Sequence, residues 1–361
     1  MMIMVDLTFV NPNNVTGVSN ATFRLLSGLK NNLGSFQVYV LCNKNNFEFI
    51  NRMDVGNCLK LKECKFKVLN KYLYKRQINK YLSKNIFDFF LIPFFSIWSP
   101  VPKGIKTIAV IHDTQDLTLR QGIKRNVYKI LYRNCLKHLF HIVAISKFTK
   151  MQIINNYNIP SNIISVIYNS VTSCNKKYVY NSKKYILTVN ALEPYKNIVT
   201  LVKAFSLIKD KCEHMLIIKS RPTSYWYKVL FPLILKEGIV DRCLLISDQY
   251  NDEDMNRLYS NADLFVTTSL MEGFGYTPIE AAIQCVPVVS TSLAALKETT
   301  LGLLFYYEPA NDEKVLANLM LELINNKPCY MNLESVSNKF QKYYSVRNQV
   351  NKYYKLFESL R

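Results

Sequence analysis

The sequence predicts an α/β protein built from two doubly wound, Rossmann-like parallel-sheet domains that face a cleft. Short apolar, β-rich segments alternate with longer segments of helical period, which is typical of parallel strands joined by crossover helices. The 361 residues exceed the usual size of one hydrophobic core, and 49% of them are hydrophobic, which allows two cores. Ligands of such domains bind at the carboxyl ends of the strands, so we expect the functional site there.

The strand-like segments fall into two groups, separated by the polar and aperiodic segment 172–184. We therefore predict an N-terminal domain at 1–172, a linker at 173–184 and a C-terminal domain at 185–340. A terminal helix at 341–361 is expected to pack back toward the N-terminal domain. The predicted strands are 2–9, 36–42, 87–93, 106–112, 140–146 and 163–169 in the first group, and 185–190, 214–220, 243–248, 264–269 and 286–290 in the second.

Composition narrows the class of protein. The nine cysteines are odd in number, scattered and never spaced as C-x-x-C, which indicates a reduced, cytoplasmic protein. The N-terminal segment lacks the basic start and the cleavage site of a signal peptide. The longest apolar run, 86–101, contains Asp88 and Pro93 and is too short to cross a bilayer.

Charge is concentrated in the first half of the chain. Residues 1–178 contain 25 Lys and Arg against 7 Asp and Glu, which accounts for +18 of the formal net charge of +20. Segment 60–84 holds nine of these basic residues with interleaved Tyr and Leu, as in surfaces that bind anionic lipid headgroups. A solvated helical face is the alternative. The apolar segment 94–102 is a candidate contact for a lipid-linked acceptor, with loop packing as the alternative.

The segment 269-SLMEGFGYTPIEAA-282 carries the chemistry. Gly273 and Gly275 allow the backbone to approach a ligand just before a helix whose N–H groups favour anions. A diphosphate there would sit between Glu272 and Glu280, whose carboxylates can accept hydrogen bonds from sugar hydroxyls. The structural alternative for Glu280 is a capping box, with Thr277 as the N-cap residue of the helix.

Glu272 and Glu280, with seven residues between them, resemble the E-x7-E signature of retaining GT-B glycosyltransferases, specifically glycosyltransferase family 4. The order and spacing of further segments support the resemblance over most of the chain. These are 16-TGVSNATFRLLSGL-29, 111-IHDTQDLTLR-120, 141-HIVAISKFTK-150, 166-VIYNSV-171, 192-LEPYKNI-198 and 257-RLYSNADLFVTTS-269.

The resemblance implies that residues 1–172 bind the acceptor and that residues 185–340 bind the nucleotide sugar. It also implies roles for individual residues. The acid matching Glu272 faces the donor sugar, and the acid matching Glu280 holds the nucleotide ribose. The lysine matching Lys196 contacts the diphosphate and stabilises the charge on the leaving group. The imidazole matching His112 reaches the transferred sugar. The resemblance thus assigns Glu272, Lys196 and His112 as catalytic, and Gly17, Asn190, Arg221, Gly273, Phe274, Gly275, Tyr276, Thr277 and Glu280 as donor-binding.

The chain also departs from the family pattern. An arginine that commonly precedes the diphosphate lysine is missing, and Arg221 is the candidate replacement. Cys285 stands where the family has a glycine, so we expect the helix that carries Glu280 to end differently. Asn169 and Ser170 stand where Asn-Gly is usual.

The resemblance implies a retaining transferase without an enzymic nucleophile and without a metal or other cofactor. The acids at 252–254 are read as the start of a helix, and His138 and His141 lack partners at zinc spacing. The expected reaction moves a sugar from a nucleotide sugar to a glycan or polyprenyl-linked acceptor in bacterial surface polysaccharide synthesis, O-antigen or capsule. We expect a protein peripheral to the inner face of the cell membrane. The alternatives are a catalytically weak nucleotide-sugar-binding scaffold and a basic nucleic-acid-binding protein.

Overall fold

The structure is a computed structural model that describes residues 1–13, 17–31, 36–65, 67–171 and 184–361. The expected linker at 173–184 lies outside the described residues, except for its last residue. The chain divides into two compact units. The first unit consists of Met1–Ser170 and Tyr344–Arg361, and the second of Val171–Tyr343.

The first unit is built on a seven-stranded parallel sheet with the strand order β3-β2-β1-β4-β5-β6-β7. Its strands are β1 (Met2–Asp6), β2 (Gln37–Cys42), β3 (Asn57–Lys60), β4 (Phe89–Ile92), β5 (Lys106–Ile111), β6 (His141–Ala144) and β7 (Ile164–Val166). Its helices are α1 (Gly17–Asn31), α2 (Phe47–Arg52), α3 (Lys67–Leu82), α4 (Gln115–Thr118), α5 (Gly122–Leu136), α6 (Lys147–Tyr157) and α14 (Val346–Leu360).

Helices cover both faces of this sheet. On one face, α3, α5 and α6 bury side chains such as Tyr74, Tyr132 and Tyr157 in the core that Phe90 of β4 enters. Successive strand residues point to opposite faces, so Phe89 points the other way, where its ring stacks on Phe357 of α14 at 5.1 Å. The first unit therefore has one helix layer on each side of its sheet.

The C-terminal helix α14 packs closely on α1. An added Cβ at Gly28 would lie 2.6 Å from Val346 and 2.7 Å from Val350, so only a glycine fits this approach. Lys106 Nζ, at the start of β5, also donates a hydrogen bond to the carbonyl oxygen of Leu360. The last helix is thus a structural part of the first unit.

The second unit contains a six-stranded parallel sheet with the order β10-β9-β8-β11-β12-β13. Its strands are β8 (Tyr185–Val189), β9 (Met215–Lys219), β10 (Cys243–Ile246), β11 (Leu264–Thr267), β12 (Val288–Thr291) and β13 (Phe305–Tyr307). Its helices are α7 (Ile198–Ile208), α8 (Phe231–Lys236), α9 (Asp252–Ser260), α10 (Tyr276–Ile283), α11 (Ala294–Thr299), α12 (Glu313–Asn325) and α13 (Tyr330–Tyr343), and a π-helical turn, Trp226–Leu230, precedes α8.

The predicted fold class is confirmed, since both sheets are parallel and all eleven predicted strands are present. Two strands were not predicted, β3 and β13, and both lie at a sheet edge, each paired with a single neighbour. None of the helices in the described ranges combines the length and the apolar composition needed to cross a bilayer.

Candidate functional site

The centre of the candidate site is an ion pair between Lys196 and Glu272 at the carboxyl ends of two neighbouring strands. Lys196 lies in the 3₁₀ turn that follows β8, and Glu272 lies in the loop that follows β11. Lys196 Nζ is 2.6 Å from Glu272 Oε1, and each side chain is 13% exposed. The structure therefore brings together the two residues that the sequence assigned to the diphosphate and to the sugar.

Hydrogen bonds hold the two loops in register. Thr268 Oγ1 donates to the carbonyl oxygen of Lys196 at 2.8 Å, and the Leu270 amide donates to that of Tyr195 at 2.8 Å. Ser269 Oγ donates to Glu272 Oε1 at 2.8 Å. Both bonds to the Glu272 carboxylate fall on Oε1. Within the described part of the chain Oε2 accepts no hydrogen bond, which leaves this oxygen for a ligand hydroxyl.

The Gly273–Gly275 turn directs the chain from the strand end into α10. Gly275 has a φ of 79°, which only glycine adopts without strain, and an added Cβ there would lie 2.4 Å from Leu296 Cδ2. Phe274 is buried, with its ring 4.8 Å from that of Tyr276, and its carbonyl oxygen accepts a hydrogen bond from Thr299 Oγ1. The turn is therefore fixed by packing on α11.

The alternative interpretation of Glu280 as part of a capping box is wrong. The helix begins at Tyr276, so Gly275 is the N-cap residue and Thr277 lies inside the first turn. Gly275 has a left-handed backbone that ends the turn, and the helix begins at the next residue, ahead of Thr277. Gly275 has no side chain that could cap the helix, and the positive end of the helix dipole suits an anion there.

Glu280 is oriented by a tyrosine rather than by the helix end. Tyr259 of α9 donates its hydroxyl hydrogen to Glu280 Oε2 at 2.9 Å. Burial, and then the nearby Glu280 carboxylate, hold the pKa of the Tyr259 phenol well above its usual value. The phenol therefore remains a hydrogen-bond donor and fixes the carboxylate for a second partner such as a ribose hydroxyl. The sequence analysis missed Tyr259, although the residue lies within a segment that carries the family resemblance.

Cys285, which stands where the family has a glycine, follows the end of α10. Cys285 adopts a left-handed conformation with a φ of 59°. Its amide bonds to the carbonyl oxygen of Ala282 at 3.0 Å, and the Val286 amide bonds to that of Ala281 at 3.3 Å. This is the Schellman pattern that a glycine usually completes. The cysteine completes it at the cost of backbone strain, because the hydrogen bonds of the helix end outweigh the steric preference.

Asn190 and Arg221 follow the neighbouring strands β8 and β9. The Asn190 amide donates to the carbonyl oxygen of Lys219 at 3.3 Å, and its side chain donates to Thr188 Oγ1 at 3.0 Å. Arg221 is exposed. The pKa of Lys219 is lowered by burial and by the positive charge of Arg221, although Asp248 has the opposite effect. Both predicted residues thus follow the carboxyl ends of strands in this sheet, in separate loops, and only Asn190 follows a strand that carries the ion pair.

His112 belongs to the first unit, where it follows β5. Its Nε2 lies 2.8 Å from the carbonyl oxygen of Pro93. A carbonyl oxygen can only accept, so Nε2 carries the proton and Nδ1 presents a lone pair, for which the described residues supply no partner. Burial lowers the His112 pKa to about 4, against the opposing effect of the bond to Pro93. The imidazole is therefore neutral near pH 7.

Gly17 is the first residue of α1, the helix that follows β1. The residues immediately before it, 14–16, lie outside the described part of the chain. The structure therefore gives the helical position of Gly17 but leaves its predicted contact with the donor as a prediction.

The first unit contains a cavity of about 700 Å³ at the carboxyl ends of its central strands, a site that the sequence analysis did not predict. Asp6, at the end of β1, lines the cavity and is 3% exposed. Burial raises the Asp6 pKa despite hydrogen bonds from the Thr8 amide and hydroxyl. Trp98 and Phe94, from the apolar segment 94–102, also line the cavity. The sequence signals that point to this site are the acid at a strand end and the apolar segment 94–102.

The basic segment 60–84 contributes to the same cavity. Glu63 and Tyr74 face it and are joined by a hydrogen bond from the phenol to the carboxylate. Lys71 lines the cavity as well, and its ammonium donates to the carbonyl oxygen of Ile97. Part of the basic segment, for which the sequence offered a lipid-binding surface or a solvated helical face, therefore forms one wall of this cavity.

Two family models match consecutive parts of the chain. The model described as Glycosyltransferase Family 4 matches residues 15–173, and the model described as Glycosyl transferases group 1 matches residues 173–340. Together they cover residues 15–340, which include every predicted site residue. The chain is a family 4-like glycosyltransferase with the GT-B fold. The E-x7-E segment and the Lys196–Glu272 pair lie in the part that the second model matches.

Individual relatives agree with this family. The chain is 30% identical over 205 residues to an O-antigen chain mannosyltransferase, RfbU, of Salmonella typhimurium, a match over 56% of this chain and 57% of that protein. The matched region thus spans little more than half of the relative's length. A glycosyltransferase from Rickettsia africae superimposes with a TM-score of 0.78 at 17% identity, over 99% and 98% of the two chains. Anabaena HepE in complex with UDP-glucose superimposes with a TM-score of 0.75 at 13% identity, over 99% and 100%. These structures share the GT-B fold with the chain.

Proposed function

We propose that the chain is a retaining glycosyltransferase that moves a hexosyl group from a nucleoside diphosphate sugar to a hydroxyl group of a glycan. The observation that carries the proposal is the Lys196–Glu272 ion pair beside the N-terminus of α10. This arrangement offers one cation and the positive end of the α10 dipole to a diphosphate, and a carboxylate to a sugar. The relative named as an O-antigen mannosyltransferase and the neighbour that holds UDP-glucose support the same reaction class.

Each charged group has a defined part in the proposed transfer. The bond between the sugar C1 and the diphosphate oxygen breaks, and the bond between C1 and the acceptor oxygen forms on the same face. The acceptor proton goes to an oxygen of the leaving diphosphate. The Lys196 ammonium stabilises the negative charge that builds on that group, and Glu272 and Glu280 bind hydroxyls of the sugar and of the ribose. His112 and Gly17 remain predicted contacts of the donor.

The proposal requires no metal ion. The diphosphate charge is offset by Lys196 and by the positive end of the α10 dipole, so a divalent cation is not needed for the leaving group to depart. The acids of 252–254 form the first turn of α9, where Asn251 Oδ1 accepts a hydrogen bond from the Asp254 amide. Transfer measured in the presence of a chelator tests this part directly, and a loss of transfer that Mg²⁺ restores would contradict it.

The cavity of the first unit is proposed to hold the acceptor glycan. Its charged lining groups are Asp6, Glu63 and Lys71, so it does not carry the excess of positive charge that suits a phosphate. Carboxylates, amides and an exposed Trp98 ring instead match the hydroxyls and apolar faces of a neutral sugar. Trp98→Ala should raise the acceptor KM and leave donor affinity unchanged. Ile86→Ala, a change of another exposed apolar residue in the same unit, is the control.

The proposed setting is the assembly of a bacterial surface polysaccharide on a lipid-linked acceptor at the inner face of the membrane. The name of the Salmonella relative and the basic first half of the chain support this setting. A scaffold that binds nucleotide sugars with little turnover is the second candidate, and the missing family arginine favours it.

Thermal unfolding with UDP, GDP, UDP-glucose and GDP-mannose separates these possibilities. A donor that binds the folded state should raise the melting temperature by mass action. Transfer of a labelled sugar from that donor, with the α-linkage of the product retained in its NMR spectrum, would establish the retaining enzyme. Binding without transfer or donor hydrolysis would establish the scaffold instead. No shift with any nucleotide would refute both.

A further inference from the structure

The outer face of α5 is apolar, although it faces solvent. Ile123, Val127, Ile130 and Leu131 are all exposed, with Ile123 at 82% and Ile130 at 60%. Their spacing of four, three and one residues places them along one side of the helix. The opposite side buries Tyr128, Tyr132 and Leu136 in the core. A surface helix normally turns polar residues to solvent, so this helix is apolar on both sides and needs a second partner.

The borders of this apolar stripe are basic. The helix carries Lys124, Arg125, Lys129 and Arg133, and its sequence, GIKRNVYKILYRNCL, contains no acid. On a helical projection Lys124 lies at one border of the stripe and Arg133 at the other. The face thus combines aliphatic side chains with flanking cations.

Exposed apolar residues are concentrated in the helix layer to which α5 belongs. Leu119 extends the stripe on its N-terminal side, and Leu69 and Tyr72 of α3 and Met151 of α6 are exposed in the same layer. The opposite layer differs: α1 and α14, which are described over their full length, expose no large apolar side chain. One side of the first unit is therefore suited to an apolar environment.

We propose that the outer face of α5 is an interfacial surface that lies on an anionic lipid bilayer. The four aliphatic side chains enter the boundary between headgroups and acyl chains, and the flanking Lys and Arg residues meet the headgroup phosphates. A second copy of the chain fits less well, because two such faces would bring cations against cations. A nucleic acid leaves the aliphatic stripe without a partner. The inference deepens the proposed membrane setting and assigns it to a specific surface.

Cosedimentation of the full chain with vesicles tests this surface. We compare vesicles of phosphatidylglycerol and phosphatidylcholine in equal parts with vesicles of phosphatidylcholine alone. The wild-type chain should bind the anionic vesicles, and this binding should weaken as salt is added. Ile123→Ser with Ile130→Ser should lower the partition coefficient at least about tenfold, since each isoleucine loses the free energy of leaving water. Lys124→Ala, a change at the border of the stripe, should weaken binding to the anionic vesicles alone.

A matched control comes from the second unit. Tyr227 and Leu235 form part of another exposed apolar face there, and they are 64% and 52% exposed. Tyr227→Ser with Leu235→Ser should leave vesicle binding unchanged. All variants alter exposed side chains and should keep the wild-type circular dichroism spectrum. The single variant Ile123→Ser, at the most exposed position, serves if the double variant is poorly folded.

Several results would overturn the proposal. The proposal is contradicted if the wild-type chain does not bind vesicles, or binds neutral and anionic vesicles equally. It is also contradicted if the second-unit control loses vesicle binding and the α5 variant keeps it. A dimer of the wild-type chain that the α5 variant dissociates would assign the face to a second copy. The assay contains neither donor nor acceptor, so the surface proposal can fail while the transferase proposal stands, and the reverse.

Discussion

Lys196 Nζ and Glu272 Oε1 lie 2.6 Å apart, and both side chains are largely buried at the strand ends of the second unit. The residue assigned to the diphosphate and the residue assigned to the sugar thus form one ion pair, in which each charge stabilises the other. Removing either partner leaves the other as an unpaired, poorly hydrated charge, which is more destabilising than the loss of an exposed ion pair. The pair therefore links the stability of the site to its chemistry.

Lys196→Ala and Glu272→Ala should each reduce transfer by about 10²-fold or more, because each removes a charged group that acts in the transition state. Lys196→Ala should also weaken the binding of a nucleoside diphosphate, whereas Glu272→Gln should weaken the binding of the nucleotide sugar more than that of the diphosphate. Steady-state kinetics and calorimetry measure both effects.

The exposed pair between Lys184 and Glu213 in the same unit, 2.9 Å apart, is the matched control. Lys184→Ala should leave transfer unchanged and alter the free energy of unfolding by less than about 1 kcal/mol. Near wild-type turnover in Lys196→Ala or Glu272→Ala would refute the assigned roles.

Gly275→Ala should destabilise the second unit by about 2 kcal/mol or more. The new Cβ would combine a left-handed backbone with a 2.4 Å clash against Leu296. Gly302→Ala is the control, because Gly302 has a φ of 67° but no heavy atom within 4 Å of an added Cβ. Urea unfolding of the two variants separates the clash from the backbone strain. Equal destabilisation would show that packing against Leu296 does not fix the turn.

Tyr259→Phe should raise the donor KM up to about tenfold with little change in kcat. The substitution removes the hydrogen bond that orients Glu280, worth about 0.5–1.5 kcal/mol. Tyr185→Phe removes a similarly buried phenol, which donates to the carbonyl oxygen of Leu258 at 2.7 Å. That change should affect the free energy of unfolding and leave the donor KM unaltered. If the donor KM of Tyr259→Phe stays at the wild-type value, the role of Glu280 in donor binding is contradicted.

The stability of the chain should fall as the pH decreases from 6.5 to 4, and His112 should account for about 3 kcal/mol of the decrease. Its pKa is about 4 when folded and near 6.5 when unfolded, so the unfolded state binds more protons in this interval. The stabilisation is therefore present above the unfolded pKa and is lost toward the folded pKa. His112→Gln can still donate to Pro93, and urea unfolding should show a flatter pH profile for it.

Other histidines also titrate in this pH range. The contribution of His112 is therefore measured as the difference between the pH profiles of the wild-type chain and His112→Gln. Burial also lowers the pKa of His141, so His141 adds to the decrease in the same direction. The pKa of His214 is raised, because Asp263 and Cys212 outweigh the effect of burial, and His214 therefore acts in the opposite direction. Identical pH profiles for the wild-type chain and His112→Gln would show that His112 is not buried as a neutral imidazole.

Much of the fold followed from the sequence because central parallel strands are buried on both faces and read as continuous apolar runs. The two unpredicted strands illustrate the limit. β3, with the sequence NCLK, lies at a sheet edge and is only partly buried, so its residues show no such run. β13 spans three residues at the other sheet's edge. These strands are recognised only by their hydrogen bonds to one neighbouring strand. Because that neighbour is distant in sequence, the local pattern does not reveal them.

The site was predictable where residue type and spacing carry the chemistry, as for Lys196 and Glu272. It was not predictable where tertiary contacts decide. Thr277 has good N-cap chemistry, yet the helix begins after Gly275, two residues too early for Thr277 to be the N-cap residue. Tyr259 gains its role only because α9 packs beside α10, and the cavity around Asp6 exists only once the loops after the strands have assembled.

The attachment of α14 to the first unit constrains how the protein is made. Phe357 fills the space beside Phe89, and Val346 and Val350 press on Gly28, yet these residues follow the entire second unit in the chain. During synthesis the first unit cannot complete its fold until residues 344–361 have left the ribosome. Until then, the part of its sheet that α14 covers stays exposed. A fragment that stops before Tyr344 should therefore aggregate in the cell, and supplying the missing helix as a separate peptide should rescue it.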